Sequence, residues 1–379
     1  MHDIALGRIP AISGGAGAIR DLGARVAAFA GKRRALILLD PALDDAARRE
    51  AIMDGLAAAD FAASPFILPL GEPKEATAQA AVEHARTFDA GMIIAIGGGS
   101  TMDTGKLVAS LVADHGGIAA YRLAAMPLPS DRLPLVCIPT TAGTGAEATA
   151  VSVLSGADGI KYWFWAEGLK PDLIIHDPEL LIGLPATVTA LTGIDALVHA
   201  IEAATNANAN ATNNIFAWRA IGLIRHYLSA AIAAPTDLEP RARLLEAATF
   251  AGIAIDNAGT AIAHNIGHAL GSLASIPHGR AVAIGMCATL AWNVEAAPDI
   301  YAPVAAAMGV EGGAAELPAA FADFVSSVGI DLAVPGLSAS ELAAQMAQPE
   351  NAAMLASNRR TATPEDLMRH AQVALSLAH

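Results

Sequence analysis

The chain has 379 residues, more than one ordinary core takes up and about right for two domains. Its formal net charge is −14 and no Lys/Arg cluster offsets it, which argues against a nucleic-acid partner. Its two cysteines, Cys137 and Cys287, sit in apolar strings, so a disulfide framework is excluded and thiolate zinc ligation is not indicated.

The first half reads as strands alternating with helices. Apolar runs at 35–39, 91–96, 133–138 and 173–175 each stop at turn residues. These are Asp40-Pro41, Gly97-Gly98-Gly99, Pro139-Thr140-Thr141 and His176-Asp177-Pro178. Buried parallel strands have this form, continuous apolar and then a turn. Helical segments such as 75–86 lie between them. The pattern predicts a doubly wound α/β domain with a mostly parallel sheet over residues 1–186, with ligands beyond the carboxyl ends of the strands. From about Pro185 the strand signal fades. Helical stretches at 187–204, 213–233, 240–257, 260–270, 281–295, 315–328 and 363–378 predict an all-helical domain over 187–379. No basic-then-apolar signal opens the sequence. The most apolar uncharged stretch, 281–294, is shorter than the ~20 residues of a membrane helix. The expectation is a soluble cytoplasmic protein with no membrane partner.

Gly97–Ser100 sits between a strand and a helix beginning near Thr101. Glycines there admit a diphosphate, and the helix N-terminus offers free N–H donors. The spacing is neither G-x-G-x-x-G nor a P-loop, and Leu107 stands where a Walker motif needs Ser or Thr. A ligand-free turn is an equal reading of these glycines alone. Asp40 ends an early strand, where a carboxylate binds the ribose hydroxyls of NAD and repels the 2′-phosphate of NADP. It also suits a cap before Pro41. Loop 139–147 offers Thr140, Thr141 and Thr144, with two glycines, to phosphate and nicotinamide ribose, or is a capped turn.

Asp195 and His199 are four apart and share a helix face, and His264 and His268 repeat that spacing. His278 follows Pro277 just before another helix. One carboxylate and several imidazoles meet the three or four ligands of a catalytic metal site, and suit Fe²⁺ or Zn²⁺. Asn265 occupies the place of Glu in H-E-x-x-H, so this is not a metalloprotease pattern.

Four segments in this order, GGGSTMDTGK (97–106), PTTAGTGAEAT (139–149), TGIDALVHAIEA (192–203) and AHNIGHALG…PHG (263–279), make the sequence resemble the iron-containing (group III) alcohol dehydrogenases. These form part of the dehydroquinate synthase-like superfamily, and the resemblance covers most of the chain. It implies a dinucleotide-binding domain, a helical metal domain and a homodimer. It implies Asp195, His199, His264 and His278 as metal ligands, with His268 as a catalytic proton relay rather than a ligand. Gly97, Gly98, Gly99 and Ser100 would hold the diphosphate, with Asp103 in the same motif. Thr140, Thr141 and Thr144 would line the nicotinamide side, Lys161 would lie near the cofactor, and Asp40 holds the position associated with NAD preference. The implied activity is hydride transfer between a small alcohol or aldehyde and NAD(H), with Fe²⁺, or Zn²⁺ in its place.

Two other readings stand beside it. One is a superfamily relative acting on a phosphorylated polyol or catalysing a lyase or cyclisation step. The other is a non-catalytic nucleotide-binding protein, which would be expected to lose ligands. The chain departs from the family pattern at Gly71-Glu72-Pro73, at Val151, at Ile255 with Asp256 after it, and at Arg280-Ala281-Val282, positions that shape the pocket. Glu72 and Asp256 either meet a polar or cationic group or lie solvated at the rim. The aromatic run Tyr162–Trp165 either packs in a core or interface or walls the cofactor site.

Overall fold

The computed structural model describes residues 4–43, 45–274, 276–334 and 336–377. They form two compact units. One comprises residues 8–141 and 146–182; the other comprises 183–377 with 4–7 and 142–145.

The strands of the first unit are β1 (Ala11–Gly14), β2 (Arg34–Leu39), β3 (Ala62–Ile67), β4 (Met92–Gly97), β5 (Leu135–Pro139), β6 (Val151–Ser155), β7 (Lys161–Trp165) and β8 (Leu173–His176). Six of them build one parallel sheet in the order β1-β8-β5-β4-β2-β3. Its helices are α1 (Leu22–Val26), α2 (Ala46–Ala57), α3 (Glu75–Thr87) and α4 (Gly99–Leu111). Leu36, Leu38, Ile93 and Ala95 pack on α3 and α4 in one core. The alternate residues Ile37, Leu39, Ile94 and Ile96 are just as buried. A sheet buried on both faces needs apolar residues at every position, which is why these strands read as continuous runs. From β2 the chain moves outward to β3 in one direction, then returns to β4 and β5 in the other. The carboxyl ends of β2 and β4 therefore flank the topological switch point, where doubly wound sheets bind ligands.

The sequence reading omitted β1, β3, β6 and β7. β1 and β3 are the sheet edges, largely exposed or half-buried, and Pro65 lies within β3. Proline is tolerated at an edge because no neighbour needs its N–H. β6 and β7 pair as an antiparallel hairpin. The aromatic run is β7 itself. Phe164 is fully buried in the core, Tyr162 lies beneath the Arg122 guanidinium at 4.0 Å, and Trp165 is exposed. Core packing accounts for Phe164 and Tyr162.

The second unit is helical: α5 (Ala186–Thr205), α6 (Ala211–Ala233), α7 (Leu238–Ala258), α8 (Ile262–Ala274), α9 (His278–Ala296), α10 (Pro298–Ala307), α11 (Leu317–Ser327), α12 (Ala339–Met346), α13 (Ala352–Ser357) and α14 (Pro364–Ser376). The last expected helix, 363–378, ends at a residue outside those described. α5 is buried continuously from Gly193 to Thr205, and α6, α7 and α9 pack around it. Among the described residues no helix is long and apolar enough to cross a membrane.

His370 on α14 shows how this unit responds to pH. It is buried against Trp292, with ring centroids 4.7 Å apart, and its Nδ1 lies 3.2 Å from the Ala288 carbonyl. Burial pushes its pKa down to about 4. The folded value is below the unfolded one, so the stabilisation is present above pH ~6.5 and is lost as pH falls towards 4, by roughly 3 kcal/mol. Denaturant unfolding at pH 7 and pH 4.5 is expected to show a smaller acid loss for His370→Gln than for the parent chain. Equal losses would contradict the assignment.

Candidate metal centre and nucleotide loop

α5 carries Asp195 and His199 one turn apart, α8 carries His264, and His278 is the first residue of α9. Asp195 Oδ1 lies 3.9 Å from His199 Nε2, 3.8 Å from His264 Nε2 and 3.4 Å from His278 Nε2. One ligand atom from each of the four lies within 4.8 Å of every other. Four ligands at ~2.1 Å around a tetrahedral ion would be roughly 3.4 Å apart. Asp195, His199 and His264 are buried, and His278 is partly open. Asp195 Oδ1 and His264 Nε2 are buried without a hydrogen-bond partner. Stranding such atoms costs about 1–3 kcal/mol each. A divalent cation among these donors satisfies both, so the residues fit one.

Burial works against the Asp195 carboxylate, but the imidazoles of His199, His278 and His264 outweigh it and hold its pKa below the ordinary range. Burial pushes His199 down to about 4 despite the pull of Asp195, so its ring is neutral at pH 7 with a lone pair to give. Burial also opposes charge on His264, but Glu202 and Asp195 raise its pKa to about 9.

Close backbone approach brings the three helices together. A Cβ on Gly279, the residue after His278, would overlap the Leu191 carbonyl of α5. A Cβ on Gly285 of α9 would overlap the Ala263 carbonyl of α8, beside His264. Gly145 and Gly252 make a similar contact between loop 142–145 and α7, and Gly145 has φ +62°. That loop places Thr144 with the helical unit, whereas Thr140 and Thr141 belong to the sheet unit.

His268 follows His264 by one turn and is half-buried. Its ring centroid is 5.5 Å from that of His278 and 6.4 Å from that of His264. It is not one of the four clustered ligand residues. Sequence reading passed over Glu202. Its carboxylate lies 2.6 Å from His264 Nδ1 and accepts the backbone N–H groups of Ala261 and Ala263 at 2.7 Å each. The available signal was spacing, because Glu202 lies three residues after His199 and seven after Asp195, on the same face.

In the sheet unit, Asp40 lines one pocket with Gly98 of the glycine turn, Ser100, Pro69 and Lys74. Gly98 is the N-cap of α4 and no side chain caps that helix; the N–H groups of Thr101 and Met102 bond the Gly98 carbonyl at 3.0 and 3.1 Å. A Cβ on Gly97 would run into Thr101 and Asp40. Asp40 Oδ1 accepts the Ala42 N–H at 2.9 Å, so it caps the following turn and lines the pocket as well.

Asp103 turns inward: Oδ2 accepts the Val153 N–H at 3.0 Å and Oδ1 lies 3.3 Å from Lys106 Nζ. Lys106 is fully buried and bonded to Thr149 and the Val151 carbonyl, so it braces the hairpin. Lys161 Nζ lies 2.8 Å from a Glu72 carboxylate oxygen, which makes Glu72 an ion-pair partner. Asp256 is half-buried on the last turn of α7.

Family models match almost the whole chain: iron-containing alcohol dehydrogenase over residues 10–178, and its C-terminal family domain over 189–375. The NAD-dependent methanol dehydrogenase of Bacillus methanolicus is 32% identical over 301 residues, covering 79% of this chain and 78% of its own. A solved 1,3-propanediol oxidoreductase superposes with a TM-score of 0.89 at 30% identity, over 99% of this chain and 100% of its own. The sulfoacetaldehyde reductase of Bifidobacterium kashiwanohense, solved with NAD⁺, superposes with a TM-score of 0.89 at 26% identity, over 100% of this chain and 99% of its own.

Proposed function

We infer the function from one premise: the chain belongs to the iron-containing alcohol dehydrogenase family. It is a metal-dependent oxidoreductase that transfers hydride between a small alcohol or aldehyde and a nicotinamide cofactor. The observation that carries this reading is the cluster of Asp195, His199, His264 and His278 with two buried ligand atoms unpaired.

A divalent ion held by these four residues, Fe²⁺ with Zn²⁺ as the alternative, supplies Lewis acidity towards the alcohol or carbonyl oxygen, while NAD(H) carries the hydride. Neutral His199 donates a lone pair, and Asp195 contributes negative charge with little competition from protons. His268 moves the proton between the reacting oxygen and solvent. Gly97, Gly98, Gly99 and Ser100 receive the diphosphate at the N-terminus of α4. Asp103 holds that helix to the hairpin. Asp40 accepts the ribose hydroxyls and disfavours a 2′-phosphate, making NADP the weaker cofactor. Thr140, Thr141 and Thr144 serve the nicotinamide side, and Lys161 lies near the cofactor with Glu72 as its counter-ion. The phosphorylated-polyol, lyase and non-catalytic readings are not favoured, because the matched relatives are dehydrogenases and reductases. The same reading divides the chain near residue 186 and carries with it a cytoplasmic homodimer, paired through an edge strand of the first unit.

Anaerobic NADH oxidation with a panel of short aldehydes, hydroxyaldehydes and semialdehydes tests the proposal. Fe²⁺-loaded protein is expected to turn over and metal-stripped protein to lose at least ~10²-fold in rate, since a Lewis acid contributes several kcal/mol. Metal-independent turnover, or none with any aldehyde, would contradict it.

A further inference from the structure

Four N–H donors converge on one carboxylate at the start of α8. Glu202 Oε2 accepts from His264 Nδ1 at 2.6 Å and from the Ala261 N–H at 2.7 Å. Oε1 accepts from the Ala263 N–H at 2.7 Å and, more weakly, the His264 N–H at 3.4 Å. Glu202 is 4% exposed, and a buried carboxylate is costly unless it is fully bonded. Here the bonds come from one histidine ring and the backbone that carries it. Because Nδ1 is committed to Glu202, His264 turns Nε2 towards Asp195 Oδ1, 3.8 Å away. His199 has no such support, since its buried Nδ1 lacks a hydrogen-bond partner.

We propose that Glu202 is the positioning residue of the metal centre: it holds the ring of His264 with the proton on Nδ1 and adds a second negative charge beside Asp195. Two carboxylates and three neutral imidazoles together balance a dication. Outer carboxylates of this kind orient ligating histidines and make them better donors. The same carboxylate anchors the first residues of α8, so the position of the ligand and the start of its helix are set by one group. This inference rests on the reading of Asp195, His199, His264 and His278 as ligands.

The test is metal binding by the full-length, metal-stripped protein, followed by competitive Zn²⁺ titration and by the rise in Tm that saturating metal produces. Glu202→Gln places an amide N–H₂ against N–H donors and removes the charge. It is expected to weaken metal binding about 10- to 100-fold and to reduce the metal-induced rise in Tm. Ile224→Val, a buried change on α6 outside the cluster, is the control for general destabilisation and should leave that rise intact.

Glu202→Gln that binds metal as the parent does, or that lowers Tm equally with and without metal, overturns the proposal. If Glu202→Gln does not fold, Glu202→Asp decides. It keeps the charge but withdraws it by one methylene, so intermediate affinity supports the proposal and parental affinity overturns it. Binding that survives His264→Ala would overturn the ligand assignment and this inference together. Binding lost in His264→Ala but unchanged in Glu202→Gln overturns this inference alone.

Discussion

Replacing His264 with alanine is expected to abolish stable metal binding and to lower kcat/KM for aldehyde reduction by about 10³-fold or more, a loss of roughly 4 kcal/mol in transition-state stabilisation. The variant removes one ligand of four. It also strands Glu202, whose 2.6 Å bond to His264 Nδ1 has no replacement in an alanine side chain. A buried charge that loses a partner is costly, so lower stability should accompany lost activity. The measurement is metal content after reconstitution together with steady-state NADH oxidation. A variant that holds one equivalent of metal and keeps a tenth of the parental kcat/KM would rule out His264 as a ligand.

The second large effect is expected from a residue with no functional group. A methyl group on Gly279 would occupy the space of the Leu191 carbonyl and press on its backbone. Backbone cannot rotate out of the way as a side chain can, so α9 must move away from α5. Overpacking of this kind costs about 1–3 kcal/mol. The displacement begins one residue from His278, whose Nε2 lies 3.4 Å from Asp195 Oδ1. Gly279→Ala should therefore lower Tm and weaken metal binding at least tenfold, because a shift of about an ångström defeats a coordination geometry. Gly271→Ala is the matched control, since a Cβ there meets nothing within 4 Å. It should be neutral, or stabilise α8 by up to ~1 kcal/mol. Equal behaviour of the two variants in metal titration would remove close packing as the reason for a glycine after His278.

Short-range pattern made much of the fold legible. β2, β4, β5 and β8 lie inside the sheet, and burial on both faces leaves a continuous apolar run with a turn at its end. α5 to α9 follow one another as long periodic segments, and their spacing places Asp195 with His199 on one face. β1 and β3 left no such mark because an edge strand is only partly buried. The β6–β7 hairpin was hidden because its alternation covers only five residues in each strand.

Residue order alone makes legible the two-part architecture, the glycine turn after β4, and which histidines and aspartate have ligand chemistry at helical spacing. These depend on residues within a turn or two of one another, where backbone geometry leaves little choice. Which distant groups meet depends on how the folded chain packs. That packing joined Glu202 to His264 across 62 residues and Glu72 to Lys161 across 89, and turned Lys106 into a core brace. It also brought α9 against α5 at Gly279 so that His278 faces Asp195. Such meetings are set by how helices and sheet pack, where the absence of one methyl group decides how closely two backbones approach.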